Sequence, residues 1–257
     1  VSGLSCVDAG RIDSDALPDV VCVEGGKHAG GRRTLAWFRS PADPQGSWTR
    51  HEINPSAPLR SFLGAAKFAD FDNDGDLDLV VTSDNHSGGS KQADVSIFVN
   101  PGGAASSTWS YQRVTPTTLA LHHINDIEII DLDGDGRKDI ICRSLEPNQI
   151  HIFFQNSMSS WTRRTLDTGI SASEGLSVGR IDGDHRPDIT FSGWWFQTPS
   201  DVRNGAYAKR PIDSDYQNVN QNTKESTGDI DGDGLIDIVI GPAEAYRNGG
   251  NHVLAWY

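Results

Sequence analysis

Apolar and polar positions alternate in short runs along the whole chain, and no stretch sustains a helical period. The runs "DVVCV", "DLVVT", "DIICR", "DITFS" and "DIVIG" each open on an Asp and continue with apolar, mostly β-branched residues. An aromatic run follows each one: "TLAWF", "VSIFV", "IHIFF", "GWWFQ" and "HVLAWY". After a stretch bearing Pro, Gly or Ser come "WTRHEI", "WSYQRV", "WTRRTL" and, more weakly, "YAKRPI". Alternation, aromatic content and turn residues predict strands throughout.

These signals recur as one unit. The Asp that opens the apolar run falls at Asp19, Asp78, Asp139, Asp188 and Asp237, at spacings of 59, 61, 49 and 49 residues. Each unit reads as a four-stranded antiparallel sheet that cannot bury both faces alone, so the units must stack face to face. The predicted fold is therefore all-β, a single β-propeller domain over 1–257 with blades at about 1–58, 59–119, 120–170, 171–219 and 220–257. Trp37, Phe98, Phe153, Trp194, Trp195 and Trp256 are expected to fill the gaps between blades. The last unit stops on its aromatic strand, which leaves two readings: a five-bladed ring lacking one outer strand, or part of a longer ring.

Composition narrows the partners. With 35 acidic and 22 basic residues the formal charge is −13, which argues against a nucleic-acid backbone as ligand. No run approaches the roughly 20 apolar residues of a membrane helix, and "VSGLSCVDAG" has no signal-peptide pattern. Cys6, Cys22 and Cys142 cannot all pair within one chain, and Cys22 and Cys142 read as buried thiols.

Ahead of each apolar run lies the chemistry. "DFDNDGDLD" supplies Asp70, Asp72, Asp74 and Asp78; "DLDGDGRKD" supplies Asp131, Asp133, Asp135 and Asp139; "DIDGDGLID" supplies Asp229, Asp231, Asp233 and Asp237. Carboxylates at positions 1, 3, 5 and 9 around a Gly at 6 make a compact hard-oxygen cage of the kind calcium favours. An EF-hand would need Glu at position 12, where this chain has Val81, Cys142 and Ile240. Two further copies begin with Arg: Arg180 with Asp182, Asp184 and Asp188, and Arg11 with Asp13, Asp15 and Asp19. There the Arg could itself replace the cation by pairing with the aspartates. The expectation is three strong calcium sites and up to five; the competing reading is a set of metal-free Asx turns.

The D-x-D-x-D-G-x-x-D loop between the first and second strands of each unit resembles the FG-GAP or VCBS-type calcium-binding repeats. That resemblance implies a propeller, calcium and an extracellular setting, as in integrin α-subunit propellers and secreted microbial lectins and polysaccharide lyases. The outer strand "WTRH" looks more like the microbial type than the integrin type.

In a propeller the loops entering the innermost strands converge on one end of the axis. Aligned on the position-3 Asp, residues five and seven before it include Lys67, Glu128, Asp126 and Lys224. Neighbouring loops add Arg60, His122, His123, Asn125, Glu174, Tyr216, Asn220, Asn222 and Glu225. These groups suit hydrogen bonding to glycan hydroxyls, as in a lectin. Alternatively His122 or His123, with Tyr216 in reach, abstracts a proton beside a uronate carboxylate while Arg60, Lys67 or Lys224 neutralises the enolate, as in a lyase. The third reading is an integrin-like adhesion module that ignores free sugars. No catalytic triad order, phosphate loop or zinc spacing is present.

Overall fold

The computed structural model describes residues 4–13, 15–24, 34–43, 45–54, 56–85, 92–103, 108–145, 148–170, 174–217, 223–242 and 254–257. Strands form five antiparallel sheets, and no helix occurs among the described residues. The first sheet runs β1 (Leu4–Gly10), β2 (Asp19–Glu24), β3 (Thr34–Arg39) and β4 (Thr49–Ile53), in that spatial order. The second is β5 (Phe62–Ala69), β6 (Asp78–Asp84), β7 (Ala93–Val99) and β8 (Ser110–Arg113). The third is β9 (Ile127–Ile130), β10 (Asp139–Leu145), β11 (Asn148–Ser157) and β12 (Ser160–Asp167). The fourth comprises β13 (Leu176–Gly179), β14 (Asp188–Phe191), β15 (Trp194–Gln197) and β16 (Ala208–Pro211). A three-stranded sheet of β17 (Thr223–Gly228), β18 (Asp237–Pro242) and β19 (Ala255–Trp256) completes the set.

This is the simple up-and-down order of propeller blades, each strand pairing with its chain neighbour. The predicted apolar runs are the second strands. All seven residues of β6 and six of the seven in β10 are buried, because both faces of these strands are covered. Fourth strands are polar edges, and every residue of β16 is exposed.

Contacts divide the chain into two compact units, one of residues 1–125 with 155–162, the other of 126–154 with 163–257. In the first, Val21, Val23, Leu35 and Trp37 of the first sheet pack with Leu63, Leu79, Val81 and Phe98 of the second. In the second, Ile141, Ile150, Ile152 and Phe154 pack with Ile189, Phe191 and Phe196. A smaller cluster joins Tyr216, Ile238 and Ile240. Of the aromatic residues expected to fill gaps between sheets, Trp37, Phe98 and Phe153 are buried and Trp194 and Trp195 half-buried, whereas Trp256 departs from the expectation and is exposed. Burying each large side chain of this kind contributes roughly 1.5–3 kcal/mol.

Candidate functional site

The three complete carboxylate loops fold alike because their first Asp gathers the backbone amides of the turn. Asp70 accepts hydrogen bonds from Asp74 and Gly75, Asp131 from Gly134, Asp135 and Gly136, and Asp229 from Gly232 and Gly234. The position-6 residues Gly75, Gly136 and Gly234 have φ of +96°, +87° and +88°, where a side chain would be strained. Position 5 takes a local role: Asp74, Asp135 and Asp233 each accept the amide two residues on, from Asp76, Arg137 and Leu235.

The ninth-position Asp braces the blade. Asp78 accepts the Phe71 amide at 2.9 Å through Oδ2 and the Asn100 amide, just past β7, at 2.8 Å through Oδ1. Asp19 does the same with Ile12 and Ser40, and Asp188 accepts from Thr198. Asp139 and Asp237 hold the Leu132 and Ile230 amides. In all five repeats this Asp accepts at least one backbone amide, including the two with Arg at position 1, so the contact does not depend on a carboxylate there.

Those positions decide where a cation fits. Among the described residues three groups bring one carboxylate oxygen from each of three Asp within 4.8 Å of one another: Asp70, Asp72 and Asp78; Asp131, Asp133 and Asp139; Asp229, Asp231 and Asp237. Two ligands of one calcium, each at 2.3–2.6 Å, stand at most about 5.2 Å apart, so these oxygens suit a single ion. Burial pushes the Asp78 carboxyl up to about 6 against the amides of Asn100 and Phe71, and Asp72 and Asp74 add to the rise. A divalent cation offsets this kind of penalty.

The two Arg-initiated loops carry their counter-charge internally, and from residues other than those expected. Arg39, at the end of β3, places Nε 2.6 Å from Asp13 and Nη2 3.2 Å from Asp15. Arg186 pairs with Asp184, and Asp182 accepts from Gln197 at 2.7 Å. Arg11 and Arg180 are exposed and make neither pair. The third loop also meets guanidinium: Arg203 Nε lies 2.5 Å from Asp133, and Arg137 pairs with Asp135.

The residues expected at the axial loops separate into networks, one set in each unit. In the first, His123 Nδ1 lies 3.1 Å from Asp84 and its Nε2 2.9 Å from the Asn125 amide nitrogen. With that amide donating, His123 carries its proton on Nδ1 and donates to Asp84, which is 2% exposed. His123 has φ of +54°, in the left-handed region, and its ring lies 5.4 Å from Phe62 and 6.1 Å from His122. Arg60 Nε sits 2.5 Å from Asp94, which also pairs with Arg113. Lys67 is half-buried on β5 opposite Val80.

In the second unit Asp126 binds Arg143 at 3.0 Å and Lys224 at 2.8 Å, while Glu174 lies 3.6 Å from Arg143 and 3.3 Å from Lys224. The Arg143 side chain is fully buried; Lys224 is 52% exposed. Burial raises the Asp126 carboxyl, but Arg143 and Lys224 outweigh it and hold the group below its ordinary range. Glu225 accepts the Gly193 amide at 2.9 Å, yet burial drives its carboxyl up to about 8. Glu128 is half-buried on β9 opposite Ile141. Tyr216 differs from expectation: it is 7% exposed and belongs to the apolar cluster with Ile238 and Ile240, so packing accounts for its ring. Asn220 and Asn222 lie outside the described residues.

Blades of this topology with carboxylate loops between their first and second strands define a repeat β-propeller. Residues 11–81, 70–142 and 131–191 match the FG-GAP-like repeat, and the chain belongs to that family. No curated protein matches it. Among solved structures it is similar to the Penicillium chrysogenum α-L-arabinanase complexed with arabinobiose, at 8% identity and a TM-score of 0.56 over 96% of this chain and 74% of that one. It is also similar to the Aleuria aurantia lectin, a six-bladed β-propeller with a novel fucose recognition mode, at 14% identity and a TM-score of 0.47 over 99% and 77%.

Proposed function

We propose that the chain is a secreted, calcium-stabilised β-propeller that binds carbohydrate. The observation that carries the calcium part is the convergence of three carboxylate triplets within 4.8 Å, each including the ninth-position Asp that holds a backbone amide of its loop. Asp70, Asp72 and Asp78, Asp131, Asp133 and Asp139, and Asp229, Asp231 and Asp237 would hold the three ions; a bound ion neutralises the crowded carboxylates and stiffens the hairpin. Asp13, Asp15, Asp182 and Asp184 have internal partners and are left out of this set, which keeps the three strong sites of the three to five expected. Carbohydrate as ligand is supported by the fold's likeness to an arabinanase solved with arabinobiose and by the polar groups His123, Asn125 and Arg60 in one unit and Asp126, Glu174 and Lys224 in the other.

A glycan array read in calcium and again in chelator tests this. Binding to a defined set of glycans, lost on chelation and restored by calcium, is the expected result. Binding to no glycan, with a thermal midpoint indifferent to chelator, overturns it.

A second reading is favoured by one pair. Asp84 holds the Nδ1 side of His123 and leaves Nε2 facing an amide that substrate can displace, an arrangement suited to a general base. A polysaccharide lyase would then raise ultraviolet absorbance on a uronate polymer, and His123→Ala would abolish the rise. A flat trace over acidic polysaccharides removes this reading.

A further inference from the structure

A cavity of about 570 Å³ opens beside the third carboxylate loop, within the second unit. One wall is Asp131, Asp133 and Gly134 with Lys138; the other is the fourth loop, with Arg180, His185 and Arg186. It is separate from the Asp126, Glu174 and Lys224 network, whose residues do not line it.

The charges around it do not cancel locally. Asp133 is met by Arg203, Arg186 by Asp184, and the Asp131 carboxylate is occupied by three backbone amides. Lys138, Arg180 and His185 have no carboxylate partner among the described residues. The lining carries three full cations, Lys138, Arg180 and Arg186, against two carboxylates, Asp131 and Asp133, a local reversal of sign in a chain of formal charge −13. Arg180 with Lys138 is suited to an oxyanion, since guanidinium presents two parallel donors to a carboxylate or sulfate and ammonium adds a point charge. The volume lies within the range of small-molecule sites.

We propose that this cavity binds a small acidic saccharide, with Arg180 and Lys138 meeting its carboxylate. The saccharide part rests on the carbohydrate reading above; the oxyanion part stands on the cavity alone. Arg180 thereby acquires a role as a ligand group, in place of the stand-in cation suggested by its position in the repeat.

Calorimetric titration of the full chain in calcium, with digalacturonate, arabinobiose and inorganic sulfate as separate probes, distinguishes the parts. Digalacturonate binds, arabinobiose does not, sulfate competes with digalacturonate, and R180Q with K138Q weakens the acid by about tenfold or more. Calcium uptake of the variants, measured in parallel, stays at the wild-type level. If sulfate binds through Arg180 and Lys138 but digalacturonate does not, the oxyanion site stands and the saccharide assignment falls. Equal binding of both acids to wild type and double variant, or no binding of either, overturns the proposal. A loss in K138Q that tracks calcium loss while R180Q stays at wild type overturns it as well.

Discussion

Arg39 lies 24 residues from Asp15 along the chain, yet its guanidinium touches both Asp13 and Asp15, so the first repeat carries a cation built into the protein. The fourth repeat does likewise with Arg186 and Asp184. Calcium titration of the chelated protein is therefore expected to reach three ions per chain, and D131N to reach two. A stoichiometry of five would show that arginine does not displace calcium here. Arg39 is 40% exposed but the Asp13 side chain only 1%, so R39Q leaves a buried carboxylate without its partner and lowers stability by about 1–3 kcal/mol.

The third loop differs from the second and fifth in having Arg203 against Asp133 and Asp135. Its ion must compete with this guanidinium, so the Asp131 loop is the weakest of the three. R203Q should tighten one calcium site severalfold and leave the others unchanged, read by competition with a chromophoric chelator.

Asp126 and Arg143 form a buried pair, and their two single substitutions are not equivalent. D126A leaves the fully buried guanidinium only the longer contact to Glu174 and costs about 1–3 kcal/mol, whereas R143M with D126A restores much of that loss. Urea denaturation of the singles and the double gives the comparison. Additive losses would mean that the two groups act independently.

Glu225 sets one pH dependence. Burial raises its carboxyl to about 8 from 4.5, with the Gly193 amide opposing and the Asp126 charge reinforcing. The folded chain keeps a proton that the unfolded chain has released, so this group lowers stability progressively from about pH 4.5 to 8. E225Q removes that slope. Its thermal midpoint should match wild type near pH 4 and exceed it above pH 8.

His151 sets the opposite one. Burial, then the Arg163 charge, depress its imidazole to about 4, and its Nδ1 faces Thr165 Oγ1 at 3.2 Å. Stability from the neutral ring is complete above pH 6.5 and is lost as pH falls toward 4. H151Q should flatten the acid limb of the melting curve over that window; an unchanged limb assigns the loss to other groups.

The strands, the five repeats and the three complete carboxylate loops were legible in the sequence because the interactions that make them are local. Continuous apolar runs mark β6 and β10, and Asp70, Asp131 and Asp229 bond amides only three to five residues ahead. The polar loop residues were partly legible, since Asp126, Glu174 and Lys224 do meet.

Their central partner was not. Arg143 sits inside "DIICRS", a run that reads as core, and only the folding of β10 against the 126 and 174 segments sets it between two acids. Asp84 at the end of β6, Arg39 at the end of β3 and Arg203 beyond β15 follow the same rule. By itself the sequence determined the class of fold and the three loops whose carboxylates converge, because a nine-residue loop contains its own geometry. Tertiary structure alone decided that Arg39 meets Asp13 and Asp15, that Arg203 meets Asp133, and where a cavity opens between loops, because these relationships join residues far apart along the chain.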